Sequence, residues 1–165
     1  MMNPPDDSFT PDDIHDQERT AGQRGLLLAL VLVCIQIVVS LIVYPFLPPM
    51  VPSHWNAASQ VDRSMPKLIA CLLWPALGLA LALFLRFLPK LGPAVPDQRG
   101  VRSFLGILAP AVVLLMLVLQ LLSFAVAFHI AVNVAMIIGI AVSCLFILIG
   151  NYMGKLRRNF WAGIR

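Results

Sequence analysis

Charge is what this sequence has least of. Only 12% of its 165 residues are Asp, Glu, Lys or Arg, and 59% are hydrophobic; a soluble domain carries roughly a quarter charged residues. The shortage is uneven, because six of the eight acidic residues precede Arg19. No Asp, Glu, Lys or Arg falls at the centre of any long apolar run. That counts against an ion-coupled pump or transporter, which places ionisable groups at membrane depth. Cysteine is also scarce. Cys34, Cys71 and Cys144 lie far apart inside apolar runs, which excludes a zinc motif and an obvious disulfide framework and leaves them as small apolar packing residues. No serine or cysteine stands in a nucleophile motif. The N-terminus lacks the positive charge of a secretory signal: acids stand there, the apolar run starts late and no small-residue cleavage site follows it.

Apolar runs dominate what remains. About 18 uncharged apolar residues suffice for a transmembrane helix, since about 20 residues at 1.5 Å rise cross the hydrocarbon core. The chain is therefore expected to be an all-α, polytopic membrane helical bundle of four spans. Residues 1–24 form an acidic tail, with six acids against Arg19 and Arg24. Thr10, Pro11, Asp12 and Asp13 resemble a helix start and predict a short helix to about Ala21. Residues 25–165 form the membrane domain. Its first span covers 25–47 and its second 68–88, with Arg86 near enough to the end to snorkel. Residues 89–103 read as a turn-rich loop, with three prolines and two glycines. Phe104 to Met153 would make a single helix about 75 Å long, more than twice the hydrocarbon thickness. It must fold back, and "FHIAVN" from Phe128 to Asn133 is its most polar stretch. The third span is therefore set at 104–127 and the fourth at 131–153.

Lysine and arginine favour the cytoplasmic side. With both termini inside, ten of the 12 basic residues are cytoplasmic and only Arg63 and Lys67 are outside, which predicts an N-in, C-in topology in the cell membrane. The segment 48–67 and His129 then share the outer face. Tyr44 and Trp55 fall near the outer interface, Tyr152 and Trp161 near the inner one. Basic residues at the inner face meet anionic lipid, so the lipid bilayer accounts for the net charge of +4 without a nucleic-acid partner. Gln36, Ser40, Gln120, Ser123, Asn133 and Ser143 are expected to hydrogen-bond between helices. Small residues at Gly78 and Ala82, and at Ala135, Gly139 and Ser143, predict close helix packing within the chain or between copies, so a homo-oligomer remains open. Pro75 and Pro110 are expected to kink their helices.

The richest stretch is "LPPMVPSHWNAASQVDRSMPK", Leu47 to Lys67. Pro48, Pro49, Pro52 and Pro66 prevent continuous helix and stiffen the loop, and Ser53 is placed to cap a short turn at His54. Four readings compete. Trp55 as interface anchor and Asn56 as turn former make the loop structural. His54, Trp55, Asn56, Asp62 and Arg63 together make a recognition surface for a peptide or lipid headgroup. His54 and Asp62, with His129, make a partial metal set, although zinc wants three or four ligands and the spacing matches no known pattern. His54 with Asp62 as its partner makes an acid-base pair. No complete set calls for a metal or cofactor.

Two separated motifs carry a family resemblance. In the first, His54, Trp55, Asn56, Asp62 and Lys67 follow the loose pattern of SdpI-like bacterial membrane proteins and of the domain of unknown function often found at their N-terminus. In the second, "GNYMGKLRRNFWAGIR", the match runs through Gly150, Asn151, Tyr152, Met153, Lys155, Asn159, Gly163, Ile164 and Arg165. The resemblance covers about residues 25–165. The family often has glycine where Ser59 stands, proline where Val61 stands and proline where Gly154 stands. Its segment usually continues past the position of Arg165 into further spans, so the resemblance implies a chain without those C-terminal spans. It also implies a non-enzymatic toxin-immunity or signalling protein. His54, Trp55, Asn56, Asp62 and Arg63 would then face a peptide toxin outside. Asn151, Tyr152, Lys155, Arg158, Asn159 and Arg165 would face lipid or a cytoplasmic repressor inside. A metal-dependent or acid-base membrane enzyme and a structural or transporter subunit are the competing functions.

Overall fold

A computed structural model describes residues 11–56, 58–91 and 98–153. The elements run α1 (Pro11–Val43), a 3-10 turn (Tyr44–Phe46), β1 (Met50–Trp55), β2 (Val61–Pro66), α2 (Lys67–Leu91), α3 (Gln98–Ala127) and α4 (Val134–Met153). Each of the four helices contains a stretch long and apolar enough to cross a membrane: Gly22–Phe46, Lys67–Pro89, Val101–Ala127 and Val134–Tyr152. The chain is a multi-pass membrane protein, and the described residues hold one two-stranded sheet.

Several local expectations change. The helix beginning at Pro11 does not stop near Ala21 but continues into the first span. Gly22 and Gly25 each cost only about 1 kcal/mol in a helix interior, and no proline intervenes. α1 ends where Pro45 disfavours helical backbone at Tyr44, and the chain tightens into the 3-10 turn. The loop expected over 89–103 is shorter: α2 runs through Pro89 to Leu91, and α3 begins at Gln98. The remainder of that loop lies outside the described residues. α3 ends at Ala127 and α4 starts at Val134, so the chain reverses within Phe128–Asn133. Asn133 belongs to this turn and not to a helix interior. Its side-chain oxygen accepts from the Met136 N–H at 3.0 Å, capping α4.

α1, α2 and α3 pack on one another, and α4 packs on α3. The first three bury two apolar clusters. One, beside the hairpin, contains Leu47, Val51, Ala70, Cys71, Phe124 and Ala127. The other, toward the opposite end, contains Ala29, Val33, Ala82, Ala109 and Val113. Between them lies a polar layer of Gln36, Ser40 and Gln120, all buried. Gln120 donates from Nε2 to the Gln36 carbonyl at 3.0 Å and to the Ser40 hydroxyl at 2.8 Å. Gln36 donates a long bond to the Val113 carbonyl at 3.5 Å.

Proline chemistry explains two of the closest approaches. Pro75 has no N–H, so the carbonyl of Cys71, four residues before it, loses its helical partner. The Ser40 hydroxyl supplies that partner from α1 at 2.9 Å, as membrane helices do where proline frees a carbonyl. Pro110 likewise frees the carbonyl of Gly106. That carbonyl lies against Gly25 of α1, where a Cβ would overlap it. Gly25 is needed there for space.

The small-residue faces behave differently from one another. Gly78 and Ala82 meet α1 closely: Ala82 is fully buried, and a Cβ on Gly78 would stand 2.9 Å from Gln36 Oε1. Ala135, Gly139 and Ser143 are exposed, and nothing approaches within 4 Å of a Cβ on Gly139. The close packing expected of that face is absent among the described residues, because α4 meets α3 along a different side.

Candidate functional site

The proline-rich stretch forms a β-hairpin, not an irregular loop with a helical turn at Ser53. β1 and β2 pair antiparallel, with Met50 opposite Pro66 and Val51 opposite Met65. Proline is tolerated because a two-stranded sheet has only edges. The pairing is irregular between Pro52 and His54 and again between His54 and Trp55. His54 is opposite Arg63 and Trp55 is opposite Val61, leaving Asp62 as an extra residue. Such irregularities re-aim side chains, and here the Asp62 carboxylate meets the His54 ring.

Asn56 builds the turn. Its side-chain oxygen accepts from the N–H groups of Ala58 and Gln60, each at 3.0 Å, and its amide donates to the Gln60 side chain at 3.2 Å. Its backbone pairs with Gln60 and Ser59 at 2.9 Å. This is the turn-forming use of a short amide side chain. Ser59 closes the turn at φ 60, a left-handed conformation that favours glycine.

The hairpin is fixed to the bundle at three points. Val51 is fully buried in the apolar cluster between Leu47 and Phe124. The Ser123 hydroxyl of α3 donates to the Pro52 carbonyl. Lys67 donates to the carbonyls of Tyr44 and Leu47 at 3.3 and 3.4 Å, and its ammonium lies 4.7 Å from the Tyr44 ring centre. A cation suits the carbonyl end of a helix, so Lys67 anchors the hairpin base.

His54 and Asp62 form the exposed feature. His54 Nδ1 lies 2.6 Å from Asp62 Oδ1, with the side chains 61% and 40% exposed. A carboxylate only accepts, so Nδ1–H donates and Nε2 takes no part in this bond. The Asp62 pKa is lowered below its ordinary 3.8, first by the hydrogen bond from His54, then by the charges of His54 and Arg63 and by its own backbone N–H; desolvation opposes this. Arg63 is exposed on the same strand. Trp55 is half-buried, and its Nε1 is buried without a protein partner.

His129 does not join them in a metal set: among the described residues no three His, Cys, Asp or Glu side chains lie close enough to hold a metal ion. His129 instead ends α3. With φ 57 it takes the left-handed cap position: its N–H bonds Val126 O, and the next N–H, Ile130, bonds Ala125 O, both at 3.0 Å. This is the Schellman pattern, with histidine where glycine is usual.

At the far end, Asn151 is exposed and Tyr152 packs its ring against Phe104, centroids 6.2 Å apart. Lys155, Arg158, Asn159 and Arg165 lie outside the described residues. The tethers through Ser123 and Lys67 were not singled out from sequence as supports of the site. For Lys67, the signal was a lone cation directly after a helix-blocking proline.

Comparison with known proteins includes this segment. A domain of unknown function, DUF1648, matches residues 31–79, which take in the C-terminal part of α1, the hairpin and the first part of α2. Over 139 residues the chain is 23% identical to the immunity protein SdpI of Bacillus subtilis strain 168, covering 84% of this chain and 64% of that protein. These matches support an SdpI-like membrane protein. The chain spans 64% of the length of the relative it matches, and that relative is named for immunity, not for an enzyme activity. No solved structure matches the chain.

Proposed function

We propose that this SdpI-like protein confers immunity by binding a secreted peptide toxin at the hairpin, with the hairpin outside the cell and both termini in the cytoplasm. The observation that carries the reading is a hairpin fixed to the bundle by Val51, Ser123 and Lys67 yet presenting His54, Asp62 and Arg63 to solvent. A rigid platform with exposed polar groups suits recognition, because little conformational freedom is lost on binding. The His54–Asp62 pair resembles half of a catalytic or metal site. Without a third ligand among the described residues, it serves better as a paired hydrogen-bonding surface. Orientation rests on the ten-to-two distribution of basic residues.

The test is survival of a toxin-sensitive host carrying His54→Ala, Asp62→Asn or Arg63→Ala at matched membrane levels. Protection should fall in these variants and remain with Ile140→Ala, an exposed position on α4. Full protection by all three hairpin variants would refute recognition by this face. In a background without native cysteines, Ala58→Cys should react with an impermeant thiol reagent in intact cells and Val95→Cys should not; the reverse pattern would overturn the orientation.

A further inference from the structure

The two strands of the hairpin are held by different means. Met50 stands opposite Pro66, Val51 opposite Met65 and Pro52 opposite Ser64, and beyond Pro52 the pairing becomes irregular. One step before Met50, the Lys67 N–H bonds the Pro49 carbonyl at 3.0 Å. Hydrogen-bonded and non-bonded pairs alternate along an antiparallel ladder. Val51 and Met65 therefore form the next bonded pair, and the backbone of Pro52 faces away from β2. Pro52 has no N–H, so its carbonyl is the one backbone group by which it can be held. Ser123 of α3 holds it. Ser123 is 1% exposed, so water does not compete for its hydroxyl, which has a single proton to give. A helical serine commonly gives that proton to a carbonyl one turn back in its own helix; here it goes to the strand. Among the described residues no other side chain bonds the backbone of β1.

Pro52 is thus the last regular position of the ladder, and a helix holds it where β2 does not. The break follows at once: His54 stands opposite Arg63, Trp55 opposite Val61, and Asp62 is left over. A one-residue slip at this point would turn the strand's side chains to the other face and part the His54 ring from Asp62. We propose that Ser123 is a positioning residue for this pair: by holding the Pro52 carbonyl it fixes where the ladder breaks, and so sets His54 Nδ1 at 2.6 Å from Asp62 Oδ1. No bond joins Ser123 to either side chain; it acts through the backbone of β1. The exposed face is then shaped from inside the membrane bundle as well as from the turn at Asn56. What this does for immunity rests on the recognition reading above, but the positioning itself does not.

The test is the carbon NMR titration of the Asp62 carboxyl in the full chain in detergent, with the signal assigned by its loss in Asp62→Asn. Ser123→Ala should move the titration upward by at least half of the shift that His54→Ala produces. Ser123→Cys, which keeps the volume but donates weakly, should move it the same way. Ser40→Ala removes a hydroxyl from the same bundle and should leave the titration where it is in the wild type. An unmoved titration in a folded Ser123 variant would overturn the proposal, as would an equal movement in Ser40→Ala. Failure of both Ser123 variants to fold while Ser40→Ala folds would also overturn it, because the hydroxyl would then hold the bundle and not the pair. Survival of the toxin-sensitive host separates the two readings: a moved titration with full protection would uphold the positioning and refute recognition by this face.

Discussion

Ser40→Ala should destabilise the bundle, and it should do so mainly because Pro75 is present. In the wild type, the Ser40 hydroxyl is the donor to the Cys71 carbonyl that Pro75 leaves unbonded. Gln120, which also donates to Ser40, keeps its bond to the Gln36 carbonyl at 3.0 Å. The substitution thus orphans one buried acceptor and leaves the other donor satisfied. An unsatisfied buried group costs about 1–3 kcal/mol, while interhelical hydrogen bonds in a membrane protein average about 0.6 and reach about 1.7. An expected loss of about 1–1.5 kcal/mol lies where these ranges overlap. Pro75→Ala restores an N–H able to bond Cys71 O within α2. In that background the Ser40→Ala cost should fall below about 0.5 kcal/mol, a coupling larger than the roughly 0.3–0.5 within which independent sites add. Equilibrium unfolding of the four proteins in mixed detergent, with helicity checked by circular dichroism, measures the cycle. Equal Ser40→Ala costs in both backgrounds would refute the carbonyl-rescue reasoning and place the role of Ser40 with Gln120.

Gly25→Ala should cost about 1–3 kcal/mol by overpacking, because its new Cβ meets the Gly106 backbone and not a flexible side chain; Gly139→Ala, with open space around it, should leave thermal stability in detergent within about 0.5 kcal/mol of wild type. Ser59→Gly should stabilise the hairpin by about 0.5–1 kcal/mol, since it relieves a left-handed non-glycine residue. Slower hydrogen exchange at the Asn56 N–H would show this, and faster exchange would contradict it. The Asp62 carboxyl should titrate below 3.8 by carbon NMR and move upward in His54→Ala. Its folded pKa is depressed, so the pair's contribution is complete above the ordinary value and is lost as pH falls through the folded one. An unchanged titration in His54→Ala would remove the hydrogen bond as its cause.

The four membrane-spanning helices were legible without coordinates, because burial in lipid demands long uncharged apolar runs whatever the helices touch. The interhelical use of Gln36, Ser40 and Gln120 was legible for the same reason: an amide or hydroxyl at that depth must find a partner. Residues 50–66 were not legible as a hairpin. Four prolines around a short apolar–polar pattern argue against regular structure unless the strands are known to be edges only, and the burial of Val51 against α1, α2 and α3 settles that. Pairing Asp62 with His54 depends on pairing irregularities that no spacing rule supplies. The roles of Lys67 and His129 likewise follow from which backbone groups lie within reach, whereas the turn-forming use of Asn56 was already one of the readings of the sequence. The small-residue face of α4 made the difference plain: Gly139 permits close approach, but only the placement of the other helices decides whether one arrives. Membrane insertion is a property of each segment's own composition, whereas packing is a property of pairs, and the pairs here join residues up to 84 positions apart.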